Sequence, residues 1–256
     1  MWQPDGWEVR TRIGVVTPHA DVGPESEIRA MAPDTVGVHA ARVPFGAMAT
    51  GGAMDPTIPL APVAAFVEPP HIDDAVSQLA AAPVAVIGIG FTSSSYVTGA
   101  DAEKDLVGRL HSRSSGRPVV VTCAAAVLAL RRLAADRIAV VNPPWFDEQL
   151  DHLGADYFSS EGFEVVFHAA CGLPSNQRSI NPPELYDWIL AHTPASAEAV
   201  FVGGNGFRAV GVIAALEEEL ARPVVTANQV LLWAMLRAIR SHVAPRGYGQ
   251  LLTLTD

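Results

Sequence analysis

Hydrophobic positions along this chain fall into short unbroken runs, separated by stretches with helical spacing. The runs of the first half are RIGVVTP, TVGVHAARV, PVAVIGIG and PVVVTC; those of the second are RIAVVNP, EVVFHAAC, AEAVFVGG and PVVTANQ. Continuous Val/Ile runs of strand length mark strands buried on both faces, as in parallel sheets. Between them SEIRAMA, HIDDAVSQLAA, ADAEKDLVGRLHSR, AAVLALRRLAA, FDEQLDHLGADYFSS, PELYDWILAH and LLWAMLRAIRSH read as helices. In GFRAVGVIAALEEELAR, Phe207, Val210, Ile213, Ala214, Leu216 and Leu220 share one face and Glu217, Glu218 and Glu219 point outward, so one long helix is expected there. Alternation of this kind builds βαβ crossovers and an α/β fold.

The pattern runs through twice. RIGVVTP and RIAVVNP each open a half, and SGRPVVVTC and LARPVVTAN each close one. A repeat of this length is far longer than a solenoid unit. It predicts two pseudo-symmetric Rossmann-like lobes, each with a mostly parallel sheet. The first lobe takes residues 1–119 with 236–256, and the second takes 120–235. Open α/β sheets bind ligands at their strand C-termini, so the site is expected in a cleft between the lobes.

Two strand-to-helix turns stand at equivalent places in the repeat. In the first, Gly90 and Phe91 lead into a loop of hydroxyls, Thr92, Ser93, Ser94 and Ser95. The second is Gly203-Gly204-Asn205-Gly206, where glycines let backbone N–H groups approach a ligand and the following helix N-terminus favours an anion. Each turn is thus an expected anion cradle. Neither has the spacing of a dinucleotide fingerprint.

Composition narrows the classes. The chain is 49% hydrophobic with a net charge of −10 and no basic cluster, which argues against a nucleic-acid partner. Apolar runs are too short to span a membrane, and the first residues have no leader pattern. Two cysteines and no metal-ligand spacing predict neither a disulfide framework nor a metal site; a cytoplasmic protein fits. Lys104 is the only lysine and lies in a charged stretch, so Schiff-base chemistry is not expected.

Three stretches carry a resemblance. VFVGGNGFRAVGVIAALEEELARPVVTANQVLLWAMLR is similar to "SCTNLR", a helix and "KPVVTSNQALLWHALR"; GFTSSS to "GCTSGS" or "GTSLS"; and VVTPHADVGPESEI to "VPSSNTTMETEI". The chain therefore resembles the aspartate/glutamate racemase superfamily, in its maleate cis-trans isomerase and arylmalonate decarboxylase branch. The resemblance implies a cofactor-free enzyme of two α/β lobes, acting on a small carboxylic acid through one or two cysteines. Here those cysteine positions hold Phe91 and Gly204. It also implies that Thr92 and Ser93 bind a carboxylate, that Asp21 stands where relatives have a substrate-binding asparagine, that Trp145 replaces a carboxylate-holding tyrosine, and that Asn176 matches a second asparagine.

With both thiols missing, any proton transfer falls to other groups. Cys123 ends a strand and starts a helix, where a thiol pKa is lowered; the alternative is a small buried core residue. Cys171 is a weaker candidate of the same kind. His19 and Asp21, on the first strand's loop, would form an acid/base couple. Substrate-binding candidates are Phe91, Thr92, Ser93, Ser94, Trp145, Asn176, Gly204, Asn205 and Gly206. The expected function is a cofactor-free isomerase or decarboxylase-like enzyme on a small mono- or dicarboxylic acid. Alternatives are a non-catalytic carboxylate-binding protein and a hydratase or hydrolase run by His19 and Asp21. Homo-oligomerisation is left open.

Overall fold

The structure is a computed structural model that describes residues 3 and 5–254. Met1, Trp2, Pro4, Thr255 and Asp256 lie outside the described residues, and with them part of the leader reading and the extreme ends of the first-lobe range. The first half runs β1 (Thr11–Pro18), α1 (Gly23–Met31), β2 (Val36–Val43), α2 (Leu60–Phe66), α3 (His71–Ala81), β3 (Val86–Ile89), α4 (Thr92–Arg113), β4 (Val119–Val121) and α5 (Thr122–Arg132). The second runs β5 (Arg137–Asn142), α6 (Glu148–Ser160), β6 (Glu164–Ala170), α7 (Pro182–His192), β7 (Ala199–Val202), α8 (Ile213–Leu220), β8 (Val224–Thr226) and α9 (Ala227–Ala238).

Two four-stranded sheets result, ordered β2-β1-β3-β4 and β6-β5-β7-β8. Every pairing within them is parallel. The identical order is the structural form of the sequence repeat. Ile13, Val15 and Val16 of the central strand β1, and Ile138, Ala139 and Val140 of the central strand β5, have no exposed surface. The lobes also share helices. α9 follows the last strand of the second sheet but packs on β3 and β4 of the first, and against α5; α4 of the first half packs on α6 of the second. Among the described residues no helix is long and apolar enough to cross a membrane.

Three local readings differ from the sequence expectation. Thr92–Ser95 is the first turn of α4, where Ser94 Oγ donates to the Phe91 carbonyl at 2.8 Å. That helix breaks at Gly99, whose φ of 79° belongs to the left-handed region. The helix expected from Gly206 begins only at Ile213, because Ala209 and Val210 turn their N–H groups onto the carboxylate of Glu27 (2.7 and 3.0 Å). α2 has too few residues for a clear periodicity; it carries Phe66 into the first lobe's core.

Candidate functional site

The C-terminal ends of β1, β3, β5 and β7 bring Pro18, Asp21, Phe91, Trp145, Gly204, Asn205 and Gly206 around one cleft. A roof over it comes from the segment after β2, which contributes Phe45, Met48, Met54 and Ile58. The segment after β6 contributes Gln177. The roof is fastened to the second half: Ile58 N–H donates to the Trp145 carbonyl at 2.9 Å, and Ser175 Oγ to the Pro56 carbonyl at 2.5 Å. The enclosed space is about 30 Å³, room for about one water and less than any dicarboxylate needs. Beside it lies a hollow of about 460 Å³ that shares Gln177 and Gly206 with the cleft and has Arg178 and Arg208 in its wall.

The protein's own side chains fill the first expected anion cradle and take the backbone amides that follow the second. At the first, Asn205 Oδ1 accepts from the Thr92 N–H (2.8 Å) and the Thr92 hydroxyl (2.7 Å), while the Gly204 N–H donates to that hydroxyl at 3.2 Å. Thr92, Ser93 and Ser94 are buried and do not line the cleft. Beyond the second, the Glu27 carboxylate takes the Ala209 and Val210 amides and the Asn228 carboxamide (2.7 Å). Asn228 in turn binds Asn205 through both its side-chain oxygen (2.9 Å) and its nitrogen (2.8 Å, to the Asn205 carbonyl). One continuous network, Thr92–Asn205–Asn228–Glu27, therefore joins the two strand-end turns.

Two carboxyls near the strand-end turns are raised. Asp21 is raised to about 6, chiefly because it is buried; bonds from the Gly23 N–H and Gln177 and the charge of Arg42 oppose the shift, and Glu25 adds to it. Burial likewise lifts Glu27 to about 7, against its bonds from Asn228, Val210 and Ala209, with the charge of Asp21 adding to the rise. Among the described residues, Asp21 is the only titratable group that lines the cleft.

The other candidates fall elsewhere. His19 is exposed, and its Nδ1 accepts from the Phe45 N–H at 3.1 Å, which ties down the start of the roof; it shares no hydrogen bond with Asp21. Cys123 is fully buried, with Sγ 3.5 Å from the Thr92 carbonyl. The lowered thiol pKa expected from its helix position is overturned: burial first, then the charge of Glu103, pushes it well above the ordinary range. Burial pushes Cys171 up to about 12. Asn176 is half-buried and caps a short 3₁₀ turn, its Oδ1 accepting from the Arg178 N–H at 2.9 Å; its neighbour Gln177 is the one in the cleft.

Phe91 packs into an aromatic cluster, with ring centroids 4.9 Å from Phe45 and 4.1 Å from Phe66. Trp145 packs edge-on against Phe207 at 5.8 Å. Gly204 has φ 82°, and a Cβ there would lie 2.7 Å from Pro143 Cγ, so the backbone of this turn excludes a side chain. Glu27, Asn228, Gln177 and the roof residues were not picked out from the sequence. For two of them a signal was present: Glu27 in PESEI and Asn228 in VVTANQ stand where the resembling stretches have the same letter.

The arylmalonate decarboxylase family profile matches residues 62–252. A maleate isomerase of Pseudomonas putida KT2440 is 25% identical, with 94% of this chain and 97% of that protein covered. A crystal structure of the maleate isomerase Iso from Pseudomonas putida S16, solved with maleate, superposes with a TM-score of 0.83 at 23% identity over 95% of this chain and 97% of that one. A crystal structure of arylmalonate decarboxylase gives 0.78 at 18% identity, over 94% and 99%. These likenesses establish the fold as that of the maleate isomerase and arylmalonate decarboxylase structures.

Proposed function

The chain belongs to the arylmalonate decarboxylase family, and from that premise we propose that it is a cofactor-free decarboxylase of small malonate-type acids in which Asp21, rather than a thiol, is the proton donor. The observation that carries this reading is the Asp21 carboxyl: among the described residues the one titratable group facing the cleft, raised to about 6 by burial. A donor whose pKa is near the working pH holds both a useful protonated fraction and a driving force for transfer.

The apolar side of the cleft (Phe45, Met48, Met54, Ile58, Phe91 and Trp145) desolvates the carboxylate that leaves. The bond from the α-carbon to that carboxylate breaks heterolytically and CO2 departs. The electron pair stays on the remaining acid as an enediolate, held from the polar side by the Asn205–Gly206 backbone and the Gln177 carboxamide. Protonated Asp21 gives its proton to the α-carbon, leaving a monocarboxylate, and is reprotonated from water. Cis-trans isomerisation by nucleophilic addition to an alkene is the poorer match, because no thiol among the described residues faces the cleft and a carboxylate is a weak nucleophile. Substrate reaches the cleft when the roof segment lifts, and the adjoining hollow with Arg178 and Arg208 attracts an anion to a molecule of net charge −10.

The test is turnover of phenylmalonate in D2O followed by NMR. The expected product carries one deuterium at the α-carbon, and kcat falls as pH rises through about 6, where Asp21 loses its proton. Asp21→Asn should lower kcat by about 10²–10⁴-fold. Turnover that survives Asp21→Asn removes the aspartate from the mechanism. A second reading, a non-catalytic carboxylate binder, is favoured by the residues at the two strand-end turns, where Phe91 and Gly204 stand in place of a thiol. Calorimetric binding of phenylmalonate with no turnover at any pH would select it.

A further inference from the structure

Outside the cleft, the second lobe holds two imidazoles that the sequence separates and the fold brings together. His152 lies on α6 and His168 on β6, and their ring centroids are 4.8 Å apart at an interplanar angle of 74°. One ligand atom from each of Asp151, His152 and His168 falls within 4.8 Å of the others. None of the three lines the cleft.

The hydrogen bonds fix the tautomer of both rings. His168 Nδ1 is 2.6 Å from Asp151 Oδ2. A carboxylate oxygen only accepts, so Nδ1 carries a proton, and in the neutral ring that a metal binds Nε2 is the nitrogen with the lone pair. His152 Nδ1 is 2.8 Å from the carbonyl of Glu148, again an acceptor only, with the same consequence. Asp151 is itself held, since its Oδ1 accepts from Asn142 Nδ2 at 2.8 Å, and Asn142 Oδ1 accepts from the Tyr96 hydroxyl at 3.2 Å. Both oxygens of Asp151 are thus engaged behind the imidazole. A carboxylate or carbonyl holding Nδ1–H while Nε2 points outward is the outer-shell arrangement of metal-ligating histidines.

We propose that His152 and His168, oriented by the Glu148 carbonyl and Asp151, form a surface site for a divalent transition metal of the zinc, nickel and copper class. Imidazole nitrogen suits these ions. Metal–nitrogen bonds of about 2.0–2.1 Å place two ligating nitrogens within about 4 Å of each other, close to the 4.8 Å within which the ligand atoms already lie, so only a small closing of the exposed His152 side chain is needed. Two protein ligands leave the remaining coordination positions to water or to an external donor. Asp151 is a positioning residue in this site and does not touch the metal.

The experiment titrates ZnCl2 into the full chain, without a histidine tag, by calorimetry, and reads the copper(II) form by electron paramagnetic resonance. One ion per chain is expected, with two equatorial nitrogens in the copper spectrum. His152→Ala should weaken zinc binding at least tenfold and reduce the copper spectrum to one nitrogen; its exposed position leaves the fold intact. His168→Ala should do the same. Asp151→Asn should keep both nitrogens and lose about 10–100-fold in affinity. Zinc affinity equal in wild type and His152→Ala, or no binding by wild type, overturns the site, and this comparison decides the matter even where a change at buried Asp151 destabilises the protein.

Discussion

The strand-end turn of the first lobe and its counterpart in the second occupy the same place in the same topology, yet they are built oppositely. After β3 the turn carries a large ring, Phe91, buried against Phe45 and Phe66. After β7 it carries no side chain at Gly204, and the left-handed backbone with Pro143 close by rules one out. The polar groups are reversed as well. The first turn presents donors, the Thr92 N–H and hydroxyl, and the second sends an acceptor, Asn205 Oδ1, to meet them. Duplicated lobes need not keep duplicate chemistry: here one turn has become a core plug and the other a clasp. The titratable group left in the cleft, Asp21, comes from a third place, the turn after β1.

The largest effect should come from breaking the plug. Phe91→Ala removes a ring in contact with two others, and truncation of a buried Phe costs about 3–5 kcal/mol. Urea unfolding measures it. A loss below about 1 kcal/mol would mean that the ring is not part of the core, and the contrast with the second turn would fail.

Next in size is the pH dependence set by Asp21. Its folded pKa, about 6, lies above the ordinary 3.8. Below that ordinary value both folded and unfolded chains hold the proton, and burial of the neutral acid carries no penalty from ionisation. As pH rises toward 6 the unfolded chain releases the proton first, so stability falls, and the loss is complete above 6. The shift corresponds to about 3 kcal/mol. Asp21→Asn cannot ionise, so its stability relative to wild type should climb by that order between pH 4 and pH 7 and then level off. Unfolding curves at several pH values give the difference directly, and a flat difference would place Asp21 in contact with water.

How much of this was legible in the sequence follows from what each signal depends on. The two sheets were, because buried parallel strands write themselves as continuous Val/Ile runs, and RIGVVTP and RIAVVNP mark the repeat. The turns at Phe91 and Gly204 were located by the same logic. What they do was not, because it depends on partners far along the chain: Thr92 meets Asn205, and Glu27 meets Asn228. A run of hydroxyls shows donors without showing what already occupies them. His152 and His168 illustrate the same limit, since one sits on a helix and the other on the next strand with no short spacing between them. The contrast of Asn176 and Gln177 is smaller but of one kind: adjacent residues point to different sides, and only the backbone of the 3₁₀ turn decides which one faces the cleft.

The finest test of the comparison is Thr92→Val, a change of one hydroxyl for one methyl at nearly constant shape. If the clasp is closed in the resting protein, the lost group is a stability element: it donates to Asn205 Oδ1 at 2.7 Å and accepts from the Gly204 N–H at 3.2 Å. Removing it leaves a buried N–H without that acceptor, and such a loss costs about 1–3 kcal/mol. Urea unfolding should show a lower midpoint, whereas Thr92→Ser, which keeps the hydroxyl, should recover most of the difference. Calorimetry with phenylmalonate then separates two states of the clasp. Unchanged affinity in Thr92→Val means that Asn205 holds Thr92 whether or not ligand is bound, so the first turn takes no part in recognition. Affinity that falls while the urea midpoint stays put means the reverse: Asn205 lets go, Thr92 turns to the carboxylate, and the two lobes share a binding role after all.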